Sequence, residues 1–144
     1  LKPTIDTTIF YNKNLERTID LLYVGVICQA KGVHLLAQRA KEFANIVFIG
    51  DNIWDGQLPG QYLGKILDKT VISDYYNRSK SFWGLCSWPE PFGLTSAEAS
   101  LCGCKVLSND KLGCVSFNED LSDPKFYLNN NEKCFSQILE KMSI

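Results

Sequence analysis

The sequence predicts an α/β domain built around a parallel, doubly wound sheet, on three observations. Short apolar runs rich in β-branched and aromatic residues recur along the chain, at 21–26, 46–49, 71–72, 82–86 and 106–107. Those at 21–26, 46–49 and 82–86 are continuous rather than alternating, as strands covered on both faces are. Between the first two, Val33, Leu35, Leu36, Ala40 and Phe43 return at helical spacing, with Gln38, Arg39, Lys41 and Glu42 on the wet side. Strand, helix and strand in such close succession form a crossover unit, and repetition of that unit builds a parallel sheet.

The remaining elements follow in order. Residues 1–17 are polar and mixed, and 1–20 read as a lead-in from a missing N-terminal domain, leaving 21–144 as the domain proper. Residues 51–64 contain Trp54, Gly56, Pro59, Gly60 and Gly64 and read as a long loop. Residues from Asp74 to Ser79 form a short helix before the strand at Phe82, and Ser96 to Leu101 a helix after it. Gly103 stands where a left-handed C-cap is wanted. Phe135, Ile138, Leu139 and Met142 mark one face of a last helix over 130–142.

Composition narrows the function classes. The chain has 144 residues, 45% hydrophobic and 22% charged, which suits one soluble domain with a core large enough to fold without staples. Its 15 Lys and Arg against 16 Asp and Glu, a net charge of −1, argue against a nucleic-acid partner, whose phosphates call for clustered cations. No apolar run approaches the roughly 20 residues of a membrane-crossing helix, and no charged-then-apolar signal opens the chain. The chain begins at Leu1 and its one methionine is Met142, so it reads as a piece of something longer.

The six cysteines, Cys28, Cys86, Cys102, Cys104, Cys114 and Cys134, fall well below the roughly 8–10% that marks a disulfide scaffold. Several lie in or beside apolar runs. The single residue between Cys102 and Cys104 is too short for zinc spacing, and the one histidine, His34, is far away in sequence. They read as buried free thiols, and the expected compartment is the reducing cytoplasm, with peripheral membrane association through the absent domain left open. Asn77-Arg78-Ser79 fits the N-glycosylation pattern, which arises often by chance and carries no weight. His34 is expected to be a surface or packing residue, and Trp54, Trp83 and Trp88 packing residues rather than sugar-stacking ones, with Trp88, beside Glu90, the nearest to an exception.

In a parallel sheet, ligands bind beyond the carboxyl ends of the strands, so the loops after strands matter most. Lys31, just before the first helix, is badly placed for helix stability alone, and an anion, most often phosphate, would relieve the conflict. A solvated, screened lysine is the ordinary alternative. The stronger signal is Glu90-Pro91-Phe92-Gly93-Leu94-Thr95-Ser96-Ala97-Glu98. Gly93 lets backbone approach a ligand closely, and the two carboxylates can each accept a pair of hydroxyl hydrogens. That combination suits a sugar nucleotide. Thr95-Ser96-Ala97-Glu98 equally satisfies a capping box, with Glu98 tied back to the Thr95 backbone, and the residues alone leave the two accounts open.

The segments Leu22-Tyr23-Val24-Gly25, Lys31-Gly32-Val33, Ile49-Gly50-Asp51, Glu90-Pro91-Phe92-Gly93-Leu94 through Glu98-Ala99, Cys102-Gly103 and Val106-Leu107-Ser108 occur in this order. Over roughly residues 21–119 the chain thereby resembles the C-terminal, nucleotide-sugar-binding domain of the GT-B-fold retaining glycosyltransferases of group 1 (GT4-like), which include mannosyl- and glucosyltransferases and sucrose synthases. The resemblance implies a Rossmann-like domain of a carbohydrate-biosynthesis enzyme that transfers a hexose from a nucleotide-diphospho-sugar with retention, without metal or other cofactor. The acceptor, a glycan, lipid or small molecule, would be held by the missing N-terminal domain, and the fragment alone would be inactive. By the same resemblance, Glu98 holds the ribose hydroxyls and Glu90 lies against the donor sugar. Phe92, Gly93, Leu94 and Thr95 line the sugar and diphosphate, and Lys31 contacts the diphosphate.

The sequence departs from the family pattern at two positions. Val26 stands where the family has an arginine on the diphosphate, and Lys105 where it commonly has proline. Lys111 is a candidate replacement cation. Two other classes remain alongside the transferase: a nucleotide-sugar-binding or regulatory module with weakened chemistry, and a GT-B-fold sugar-nucleotide epimerase.

Overall fold

The computed structural model describes residues 4–89, 93–109, 111 and 122–124 of the 144. The elements run β1 (Ile19–Val24), α1 (Val33–Arg39) with a 3₁₀ turn (Ala40–Glu42), β2 (Ile46–Ile49), β3 (Gln61–Tyr62), α2 (Lys69–Asn77), β4 (Ser79–Trp83), α3 (Leu94–Leu101) and β5 (Lys105–Leu107). The five strands form one sheet in the order β3-β2-β1-β4-β5, and every pairing is parallel. The helix expected over 130–142 lies outside the described residues, as do Cys114 and Cys134. Among the described residues no helix is long and apolar enough to cross a membrane.

The continuous apolar runs split residue by residue between the two faces of the sheet. Leu21, Tyr23, Ile46, Phe48 and Trp83 pack with Val33 and Leu36 of α1. Leu22, Val47, Ile49 and Phe82 pack on the other side with Tyr76 of α2 and Ala97, Ala99 and Leu101 of α3. β1 and β2 are therefore covered on both faces, which is why no polar residue interrupts their centres. Gly103, at φ 92°, ends α3 in the left-handed region as expected.

Four expectations change. Val71 and Ile72 belong to α2, not to a strand, because the Asp68 side chain accepts from the Thr70 backbone N–H at 2.9 Å and its hydroxyl at 2.6 Å, starting a helix before them. That helix ends at Asn77, and Ser79 opens β4 instead of lying in a helix. Within the supposed loop 51–64, Gln61 and Tyr62 form an edge strand on Val47 and Phe48. Trp83 is buried and Trp54 partly so, but Trp88 is 70% exposed and belongs to neither core cluster.

The lead-in residues from 4 onward are attached to the domain. Ile5 and Phe10 are buried in the face that carries α2 and α3, and β1 already begins at Ile19. Arg17 donates from Nη1 to the carbonyls of Tyr76 (3.0 Å) and Ser79 (2.6 Å), and from Nη2 to that of Cys102 (2.6 Å). A guanidinium there satisfies carbonyls at the C-terminal ends of both α2 and α3, where the helices leave acceptors unpaired. Asn77 is fully buried; its side chain donates to Tyr11 and Ser73 carbonyls and accepts from the Lys13 backbone N–H. That arrangement leaves no amide open to glycosylation in the folded chain.

Cys86, Cys102 and Cys104 are buried free thiols and Cys28 is half-buried. Burial pushes the Cys102 thiol up to about 11 and the Cys104 thiol up to about 12, which keeps both as inert apolar packing at neutral pH.

Phe82→Ala, in the middle of the sheet, is expected to cost about 3–5 kcal/mol by denaturant unfolding, whereas Val71→Ala on the outer face of α2 stays within about 0.5 kcal/mol. Arg17→Met is expected to lose about 1–3 kcal/mol, because it takes the charged donor from the Cys102 carbonyl and leaves those of Tyr76 and Ser79 to the weak thiol donor of Cys104.

Candidate functional site

The sheet reverses its winding between β1 and β4: α1 carries the chain from β1 to β2 on one side, and β4 returns to the other edge of β1. Loops leaving these two strands part there and open a crevice. A cleft of about 150 Å³ lies at this point, lined by Tyr23 to Val26 at the carboxyl end of β1, Trp83, Gly84 and Cys86 at that of β4, Lys31, and Gly93, Thr95 and Ser96 at the start of α3.

Its walls are tied together by backbone. Ala30 O accepts from the N–H groups of Ser87 and Trp88, and the Ser87 hydroxyl donates to Gln29 O. Gly32, at φ 81°, sits against the Leu85 carbonyl where a Cβ would collide with it, so only glycine permits this approach of the two loops. Tyr23 donates its hydroxyl to Val26 O at 2.8 Å and holds the turn after β1. Asn109 donates to Cys86 O at 2.8 Å, and Lys111 Nζ to Ser87 O at 3.1 Å, which brings the loop after β5 to the same rim.

Of the candidate residues, Lys31, Gly93 and Thr95 share this cleft. Leu94, 46% exposed, begins α3 but does not line it. Glu90 and Phe92 lie outside the described residues. His34, on α1, takes no part in the lining. Lys111 reaches the β4 loop, next to the segment that carries Lys31, although Val26 is 41% exposed and brings no cation of its own.

Glu98 lies one turn along α3 and is not among the residues that line the cleft. The capping-box account does not describe it: α3 starts at Leu94 after Gly93, with no side-chain cap. Instead Glu98 Oε2 accepts from the Tyr76 hydroxyl at 3.1 Å. Burial raises the Glu98 carboxyl above the ordinary carboxylate range, while the Tyr76 bond and the charge of Lys69 pull it down. The same burial, with the carboxylate opposite, pushes the Tyr76 hydroxyl well above its usual value. Tyr76, Tyr23, Trp83, Cys86 and Ser96 were not among the sequence-derived candidates. Tyr76 and Glu98 are 22 positions apart on different helices, and no local pattern links them.

A doubly wound parallel domain with its crevice at the switch point is Rossmann-like. Among solved structures it is similar to AviGT4, a glycosyltransferase involved in avilamycin A biosynthesis, with a TM-score of 0.63 and 16% identity over 78% of this chain. It is also similar to the C-terminal domain of a glycosyl transferase group 1 family protein (LpcC) from Francisella tularensis, with a TM-score of 0.57 and 21% identity over 76% of this chain. The chain spans 38% of AviGT4 and 72% of the LpcC domain. No protein-family model matches it, and neither does any curated protein. The fold is that of the C-terminal, Rossmann-like domain of a GT-B glycosyltransferase.

A carboxyl that folding makes harder to ionise lowers stability as pH rises through its unfolded value near 4.5 and toward its raised folded value. Glu98→Gln keeps an acceptor for Tyr76 and removes the charge. It is expected to raise Tm at pH 7, with the gain fading below about pH 4 in a pH series of thermal melts.

Proposed function

We propose that this domain is the donor-binding half of a retaining glycosyltransferase that takes a nucleotide-diphospho-sugar. The observation that supports the reading best is that Lys31, from the loop after β1, and Gly93 and Thr95, from the start of α3, face one cleft at the switch point of the sheet. Lys31 contacts the diphosphate; Gly93, Leu94 and Thr95 present backbone to the diphosphate and sugar. Glu98 accepts from the ribose hydroxyls, and Glu90 and Phe92 meet the donor sugar. As the bond to the anomeric carbon breaks, negative charge grows on the departing diphosphate. Lys31, with Lys111 across the loop, and the amides at the start of α3 oppose it without a metal ion. The anomeric carbon becomes oxocarbenium-like, and an acceptor hydroxyl attacks it on the face the diphosphate leaves. A second domain holds the acceptor, so the chain alone binds donor and transfers nothing; transfer by it alone would refute that division.

Val26 favours a second reading, a binding module with weakened turnover, because the exposed side chain at that position offers the diphosphate no charge.

Calorimetric titration with UDP-glucose, GDP-mannose and ADP-glucose tests the proposal. Binding of at least one is expected, and Lys31→Met is expected to weaken it about ten- to a hundredfold, the worth of a charged hydrogen bond. Absence of binding by all three at millimolar concentration overturns it. Val26→Arg is expected to tighten donor binding; an unchanged affinity means that no diphosphate lies beside residue 26.

A further inference from the structure

The Tyr76 side chain is fully buried between two rings, with Phe10 edge-on at 6.0 Å and Phe82 edge-on at 5.7 Å. Its carbonyl is held as well, by Arg17 Nη1 at 3.0 Å and Cys104 Sγ at 2.9 Å. The ring therefore has no freedom to swing, and its hydroxyl is delivered to one place, Glu98 Oε2, at 3.1 Å. Among the described residues, Oε1 of Glu98 has no hydrogen-bond partner. An ionised carboxylate offers about four acceptor sites, so a bond from Tyr76 uses one and leaves the rest.

Resting on the donor-site reading, we infer that Tyr76 is a positioning residue for nucleotide binding: its immobile hydroxyl holds Glu98 by one oxygen and keeps the other turned outward, charged, to accept the ribose hydroxyls. The hydroxyl acts in two ways. It fixes the rotamer of a side chain that would otherwise lose entropy on binding. It also stabilises the charged form against burial, since a hydrogen bond to a carboxylate favours ionisation. From α2, Glu98 faces Tyr76 and the charge of Lys69; at the end of its own helix lies Cys102, with Lys13 and Arg17 beyond it. Lys69 acts only through the long-range field, so among the described residues the hydroxyl is the group that supports the carboxylate by contact.

Tyr76→Phe keeps the ring between Phe10 and Phe82 and removes only the hydroxyl, and circular dichroism melts verify that the variant is folded. Calorimetry with UDP, GDP and ADP on the full chain between pH 5 and 8 reads the effect. In the unmodified chain, affinity is expected to fall as Glu98 gains its proton. In Tyr76→Phe, affinity at pH 8 falls several-fold and the acid midpoint moves up by about one pH unit, the size of one hydrogen bond to a charged group. In Glu98→Gln the pH dependence flattens, and adding Tyr76→Phe to it changes nothing further, as coupling through Glu98 requires. A Tyr76→Phe profile that superimposes on the unmodified one overturns the positioning role alone. If the unmodified chain binds none of the three nucleotides, the donor-site reading falls first.

Discussion

The strand Ile19–Val24 carries neighbours on both edges and helices over both faces, and its burial on all sides organises everything around it. Leu21 and Leu22 are both wholly inaccessible although they point to opposite faces. A strand in that position can hold no polar group at its centre. Its chemistry is displaced to its carboxyl end, where the chain leaves the sheet. The reversal of winding at its edge then supplies the crevice that this chemistry faces. Lys31 and Thr95 owe their proximity to this one strand, since each belongs to a loop or helix that starts from it or from its neighbour β4.

The face that carries α2 and α3 is closed from outside by the segment before β1. Phe10 completes its core, and the Arg17 guanidinium gathers carbonyls from the ends of two helices and the start of a strand. These contacts lie at the opposite ends of the helices from the cleft. The same face tolerates one unfavourable group: Glu98 is desolvated and resists ionisation, yet it is braced by a tyrosine locked in the core. A buried acid that weakens the fold and is nonetheless held in place is the kind of group found at binding sites. Cys102 and Cys104, also buried there, are held protonated and act as packing.

Much of this was legible in the order of residues, and the failures have physical causes. The runs at 21–26, 46–49 and 82–86 announced strands because two-sided burial leaves an unbroken apolar signature. Val71 and Ile72 carried the same signature over too few residues to separate strand from helix, and the Asp68 cap decided the matter. Gln61 and Tyr62 are exposed at the sheet edge, so no burial pattern marks them. The polar composition of residues 4–17 hid two buried apolar anchors and one arginine whose partners lie about sixty residues or more away. Of the candidate residues, Lys31, Gly93 and Thr95 meet in one cleft because loops after parallel strands converge at one edge of the sheet.

Local spacing by itself determined the class of fold, the loops that follow its strands, and the presence of two carboxylates and a glycine around the start of α3. Those follow from periodicity, backbone chemistry and chain order, which act over a few residues. What Glu98 does with its charge was open on spacing alone, because a capping box and a ligand carboxylate share the same letters. Tertiary structure removed the capping box: α3 begins at Leu94 after Gly93 without a side-chain cap, and the Glu98 carboxylate accepts instead from Tyr76 on another helix. Burial, and the partner that makes burial tolerable, depend on what the rest of the chain brings alongside, and no stretch of sequence contains both.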